Sequence, residues 1–241
     1  TVNVGSALFE ASALLKEKVL LLAAHLLEAN RDDLELGNGK VFIRGMPQRS
    51  LLFSELARAA VPGWASKLPA GLEPGLEETL YFVPATVTWA NAAHVAVIEV
   101  DSDTGEIKLL DYIVSHDAGK LVNPLLVEGQ IHGGVAMGIG NAYYEKLVYD
   151  ENAQLLNASL ADYLIPTATE VPRIIVGHEE TPSPLNPLGS KGAGEAGAIP
   201  VPALFAQALE NALPEYDLEI LETPLSPNRL YELIKNKEKQ H

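Results

Sequence analysis

Residues 181–197 read Thr-Pro-Ser-Pro-Leu-Asn-Pro-Leu-Gly-Ser-Lys-Gly-Ala-Gly-Glu-Ala-Gly, a proline-dense run that opens into a glycine-dense one. Gly192, Gly194 and Gly197 satisfy the G-x-G-x-x-G spacing, which in a dinucleotide-binding fold needs a strand entering the first glycine and a helix leaving the last. The helix is expected, because Pro200 and Pro202 suit a first turn that continues through Leu204, Phe205, Ala208 and Leu209. The strand is not, since Pro182, Pro184 and Pro187 lack the N–H groups a central ladder requires. A nicotinamide-binding enzyme is therefore the minor reading. What remains is a lean loop able to press against a large ligand, with the Glu195 carboxylate at its centre as the candidate for proton transfer. A linker with an incidental Glu is the plain alternative.

At 241 residues, 47% of them hydrophobic, the chain can bury a sizeable core as one large domain or two small ones. A formal net charge of -15 disfavours phosphate backbones and anionic membrane surfaces, so neither nucleic acid nor membrane is an expected partner. With no cysteine, the chain cannot itself hold a disulfide, an iron–sulfur cluster or a thiolate metal site. Charge interrupts every apolar stretch before bilayer length and the N-terminus has no signal-peptide regions, which predicts a soluble, cytoplasmic protein. The start at Thr1, without Met, suggests a piece of a larger enzyme.

Apolar residues at helical spacing (Leu8, Leu15, Val19, Leu22, Leu26), with Lys16, Glu17 and Lys18 on the other face, predict an amphipathic helix over 6–29. Gly37-Asn38-Gly39 predicts a hairpin between 34–36 and 41–43. A short helix over 54–60 follows, capped by Ser54, and the Gly- and Pro-rich connection 61–78 is the candidate internal boundary. Density in Val, Thr, Tyr, Phe and Trp predicts three adjacent antiparallel strands over 80–90, 94–101 and 107–114. Asn123 and Pro124 open a helix through Gly140 whose glycines 129, 133, 134, 138 and 140 are expected roughly along one side. Interior glycines cost about 1 kcal/mol each relative to Ala, so they imply close packing or a ligand lying on the helix. A last helix is capped by Ser226 with Pro227 at its first position. His116, His132 and His178 lack metal-binding spacing and read as structural, and Asp101, Asp103 and Gly105 as a turn.

Five motifs occur in order: Asp117-Ala118-Gly119, Val122-Asn123-Pro124, Val127-Glu128-Gly129-Gln130-Ile131-His132-Gly133-Gly134, a presumed strand pair ending in Asp162-Tyr163-Leu164-Ile165-Pro166-Thr167, and Ser190-Lys191-Gly192-Ala193-Gly194-Glu195. Together they resemble the molybdenum-binding large subunits of the xanthine dehydrogenase, aldehyde oxidoreductase and aerobic carbon monoxide dehydrogenase family. The resemblance covers nearly the whole chain and is strongest over 114–212. It implies an α+β fold of mixed strands with packed helices, with residues 1–241 as the C-terminal molybdopterin-binding domain of such a subunit.

The resemblance further implies oxidative hydroxylation of an aldehyde, an N-heterocycle or a carbon monoxide-like small molecule with water-derived oxygen, Glu195 serving as the base. The implied cofactor is molybdenum–molybdopterin in its cytosine dinucleotide form, with iron–sulfur clusters and FAD on partner chains. The implied partners are the remainder of the large subunit and the iron–sulfur and flavin subunits. Gly192, Ala193 and Gly194 would offer amides near the pterin and Gln130 a side-chain amide, while Thr1, Gly5 and Ser6, just before a helix, would cradle the dinucleotide tail. Lys191 would counter the charge of Glu195 or of the cofactor, or be solvated. A non-catalytic scaffold domain of the same fold is the rival reading.

Overall fold

Two separate clusters of buried apolar side chains organise the chain. The computed structural model describes residues 1–63 and 68–239, and they fall into two units, Thr1–Ala85 and Thr86–His241. The connection 61–78 falls inside the first unit, and its residues 64–67 lie outside the described residues.

In the first unit, helix α1 (Val2–Leu27) ends at Glu28 in the left-handed conformation. Only its C-terminal half joins a core, through Val19, Leu20, Leu22 and Ala23, while Val4, Leu8, Phe9 and Leu14 are exposed. Lys18, expected on the polar face, is buried: its ammonium lies 3.7 Å from the Glu78 carboxylate and donates to the Glu77 carbonyl at 3.4 Å. Strands β1 (Leu34–Gly37) and β2 (Lys40–Ile43) form the expected hairpin, with Asn38 at φ 51 and Gly39 at φ 73 supplying its turn. The third strand, β3 (Met46–Leu52), pairs with β2 on the sheet edge, where Pro47 is tolerated. Helix α2 (Phe53–Ala59) takes Leu52 and not Ser54 as its cap position, because the Glu55 carboxylate accepts the Leu52 N–H at 2.7 Å.

The second unit is built on a three-stranded sheet. Strand β4 (Asn91–Val100) pairs antiparallel with β5 (Ile107–Asp117), across a turn in which the Asp101 carboxylate accepts the N–H groups of Asp103 and Thr104. The other edge is β6 (Ile174–Glu179), parallel to β5. The expected strand over 80–90 is absent among the described residues. Tyr81, Val83, Val87 and Trp89 stay exposed, for strand propensity expresses itself only where a pleated neighbour exists. Likewise 162–167 lies in turns and loop, with the isolated Tyr149–Leu155 bridge before it.

Tyr112, Val114 and His116 alternate onto the buried face of β5. Over this face pack α3 (Pro124–Ile139), α4 (Val201–Ala212) and α5 (Pro227–Glu238), each contributing apolar residues four apart: Ile131, Val135 and Ile139; Val201, Phe205 and Leu209; Leu230 and Ile234. Burial of each such side chain is worth about 2 kcal/mol. The caps are those the sequence predicts: the Asn123 side-chain Oδ1 accepts Leu126 N–H at 3.2 Å, and the Ser226 hydroxyl accepts Arg229 N–H at 3.4 Å. A single π turn over Gly140–Tyr144 then closes α3.

Candidate functional site

The glycine-rich loop is fastened at both ends. On its N-terminal side, Lys191 N–H donates to the Ala118 carbonyl at 2.8 Å and Lys120 N–H to the Gly189 carbonyl at 2.9 Å. Asn186 supplies by side chain what the prolines deny to the backbone: its Nδ2 donates to the Ser190 carbonyl at 2.8 Å and its Oδ1 accepts Ser190 N–H at 3.1 Å. On the C-terminal side Gly197 presses onto α3, where an added Cβ would sit 2.5 Å from the Ile131 carbonyl oxygen. Between these anchors Glu195 is exposed. Its main-chain carbonyl accepts Ala198 N–H at 2.9 Å, which starts the turn into α4, and its carboxylate takes no hydrogen bond or ion pair from the described residues.

Of the three loop amides expected to face a ligand, Gly192 N–H is already donated to the Thr88 carbonyl at 2.9 Å. The N–H groups of Ala193 and Gly194 have no acceptor among the described residues. Lys191 faces neither Glu195 nor solvent: its ammonium lies 2.7 Å from the Asp117 carboxylate, both side chains being largely buried. Asp117 also accepts Gly119 N–H at 2.8 Å, Thr181 N–H at 3.2 Å and the Thr181 hydroxyl. Burial pushes the Asp117 carboxyl up, but Lys191, the Thr181 hydroxyl and the two amides outweigh it and hold the group well below the usual carboxylate range. Nothing in the sequence signals this cluster, since Asp117 lies 64 residues from Thr181 and 74 from Lys191.

The α3 glycines divide into two stripes and do not share one side. Gly134 and Gly138 are closed: added Cβ atoms would meet Gly197 Cα at 2.9 Å and a Val201 side-chain carbon at 2.5 Å. Gly129 and Gly133 are open, with nothing within 4 Å of an added Cβ. Helical geometry explains the split, because residues four apart stack while the next residue turns about 100° away. Gln130 is exposed on the same helix, one residue before the carbonyl that receives Gly197. The loop offers two open amides, and α3 an open glycine stripe and the Gln130 side-chain amide; donors and clearance of this kind suit a flat, polar-edged cofactor.

Thr1, Gly5 and Ser6 belong to the first unit. Gly5 and Ser6 lie within α1 and do not precede it; Gly5 N–H makes the helix's first bond, to the Thr1 carbonyl at 2.7 Å, and Thr1 holds the cap position. The Ser6 hydroxyl is buried with no partner among the described residues. In the second unit His116 is buried with neither ring nitrogen bonded, while His94 Nδ1 lies 3.0 Å from the Tyr112 hydroxyl. Among the described residues, no His, Asp and Glu side chains form a group that could hold a metal ion, and no helix is long and apolar enough to cross a membrane.

Residues 1–172 match the molybdopterin cofactor-binding domain family. The chain belongs to that family. It is 34% identical to the nicotine 6-hydroxylase large subunit of Paenarthrobacter nicotinovorans over 96% of this chain and 28% of that protein. Among solved structures it superposes on a Cu,Mo-CO dehydrogenase with a TM-score of 0.84 and 31% identity, covering 98% of this chain and 29% of that one. Quinoline 2-oxidoreductase from Pseudomonas putida 86 gives 0.80 and 38%, covering 92% and 28%. The α+β fold is thus that of molybdenum hydroxylase large subunits, of which this chain spans less than a third of the length.

Proposed function

We propose that residues 1–241 act as the cofactor-binding domain of a molybdopterin-dependent oxidoreductase that hydroxylates a small molecule with water-derived oxygen, Glu195 serving as the base. One observation carries this reading: an exposed carboxylate, unpaired among the described residues, sits on a loop pinned at both ends, beside amides that have no acceptor among those residues. When bound, the molybdenum–pterin group supplies a two-electron acceptor and Lewis-acid activation of water. Ala193 and Gly194 N–H groups and the Gln130 amide hold the polar edge of the pterin, and the side-chain-free surface at Gly129 and Gly133 lets a broad ligand approach α3. Glu195 then accepts the proton that the reaction releases. The dinucleotide tail, of the cytosine form, is assigned to the start of the chain at Thr1, Gly5 and Ser6.

The similar proteins are named for nicotine, quinoline, carbon monoxide and aldehydes, which supports a small substrate from one of these classes: an N-heterocycle, a carbon monoxide-like molecule or an aldehyde. Iron–sulfur and flavin centres on partner chains would supply the onward electron path, as suits a chain without cysteine. The remainder of the large subunit completes the site, and the assembly is cytoplasmic.

The test is Glu195→Gln in the complete, metal-loaded enzyme. The amide keeps size and most hydrogen bonding but cannot accept the proton, so metal and pterin content hold while turnover falls about 10²- to 10⁴-fold. A loaded variant that remains fast removes Glu195 from the chemistry, and a native complex that contains no molybdenum favours a non-catalytic scaffold.

A further inference from the structure

Two residues distant in sequence, Thr181 and Lys191, converge on Asp117, the last residue of β5. Lys191 Nζ reaches Asp117 Oδ2 at 2.7 Å and also donates to the Thr181 hydroxyl at 2.6 Å, while Thr181 bonds Asp117 through both its N–H and its hydroxyl. Gly119, at φ +64, lets the segment carrying Lys191 pack closely: a Cβ there would lie 2.2 Å from the Gly189 carbonyl oxygen and 3.1 Å from Lys191 Cγ. Four residues beyond Lys191 comes Glu195, and two beyond that Gly197 is seated on α3 against Gly134 and the Ile131 carbonyl. The intervening stretch is therefore a short span with two fixed ends.

We propose that Lys191, held by Asp117 and Thr181, is a positioning residue that fixes the loop so that the Glu195 carboxylate is presented at one place; this rests on the reading of Glu195 as the base. A largely buried ion pair with its remaining valences satisfied is worth little as net stability but strongly resists the loss of one partner. It therefore specifies a geometry. Glu195 has no side-chain partner among the described residues to hold it, so the loop's anchors must do so. Misplacement by about 1 Å can cost on the order of 10²-fold in rate.

The experiment is a double-mutant cycle in the complete enzyme, with rates expressed per bound molybdenum. Lys191→Met should lower kcat at least about tenfold with KM within about threefold, because the base is displaced and substrate binding is not. In a Glu195→Gln background the same change should cost no more than about twofold, since there is no base left to misplace. Where Lys191→Met loads no metal, the pair Asp117→Asn with Lys191→Met replaces it, leaving no unpaired buried charge. Full multiplication of the two losses overturns the proposal, and so does a fast Lys191 variant beside a slow Glu195→Gln. A fast Glu195→Gln enzyme instead defeats the underlying reading of Glu195.

Discussion

Gly134 and Gly197 meet backbone to backbone: a Cβ on Gly134 would lie 2.9 Å from Gly197 Cα, and one on Gly197 would lie 3.2 Å from Gly134 Cα. Neither side can yield by rotating a side chain, so this contact fixes where the loop bearing Glu195 lands on α3.

Gly134→Ala is therefore expected to destabilise the second unit by about 1–3 kcal/mol, even though alanine favours the helix itself by about 1 kcal/mol. Urea unfolding of wild type and variant measures the difference, and an equal or higher midpoint would contradict it.

Gly133→Ala, one residue earlier, should do the reverse. Its Cβ meets nothing, so the chain alone gains up to about 1 kcal/mol in helix propensity. In the complete enzyme the molybdenum content falls, because the open stripe is the surface proposed to lie beneath the cofactor. Metal analysis beside a melting curve separates the two effects.

His94 and His116 are held below the ordinary imidazole range, first by burial and then by neighbouring histidines, His116 beside His94 and His178 beside His116. The folded state thus binds fewer protons than the unfolded one, and the stability this confers is full above the ordinary imidazole range and is lost progressively as pH falls below it. Asp117 has the opposite shift and loses its contribution only below about pH 4. Thermal midpoints should drop as pH falls below the ordinary imidazole range, and His116→Phe, which cannot titrate, should flatten part of that drop.

Asn123→Ala removes the acceptor for Leu126 N–H and should cost about 1 kcal/mol. Faster amide exchange confined to the first turn of α3 is the expected signature.

The sequence made local chemistry legible. Asn38-Gly39, Asn123-Pro124, Ser226-Pro227 and Pro200 each encode a turn or helix start within a few residues, and the structure places them so. Partner choice was not legible. Segment 80–90 has strand residues but no neighbour, whereas β6 joins β5 in parallel from beyond α3, a pairing that no local pattern announces. At the candidate site, the exposed place of Glu195 on a lean loop was readable from its glycine setting. The fate of Lys191 was not, because its partners Asp117 and Thr181 are brought to it by the sheet. The four glycines of α3 were visible, but only packing against Gly197 and Val201 tells the closed stripe from the open one.

The prolines that keep 182–187 out of a ladder also govern how the loop ages. Asn186, whose amide braces Ser190 from both sides, is followed by Pro187. Deamidation begins when the next residue's backbone nitrogen attacks the asparagine side chain, and proline's nitrogen has no hydrogen to give up. Asn38, exposed and followed by Gly39, has no such shield. Chemical wear in this protein therefore begins at a surface hairpin and spares the amide on which the loop's shape depends.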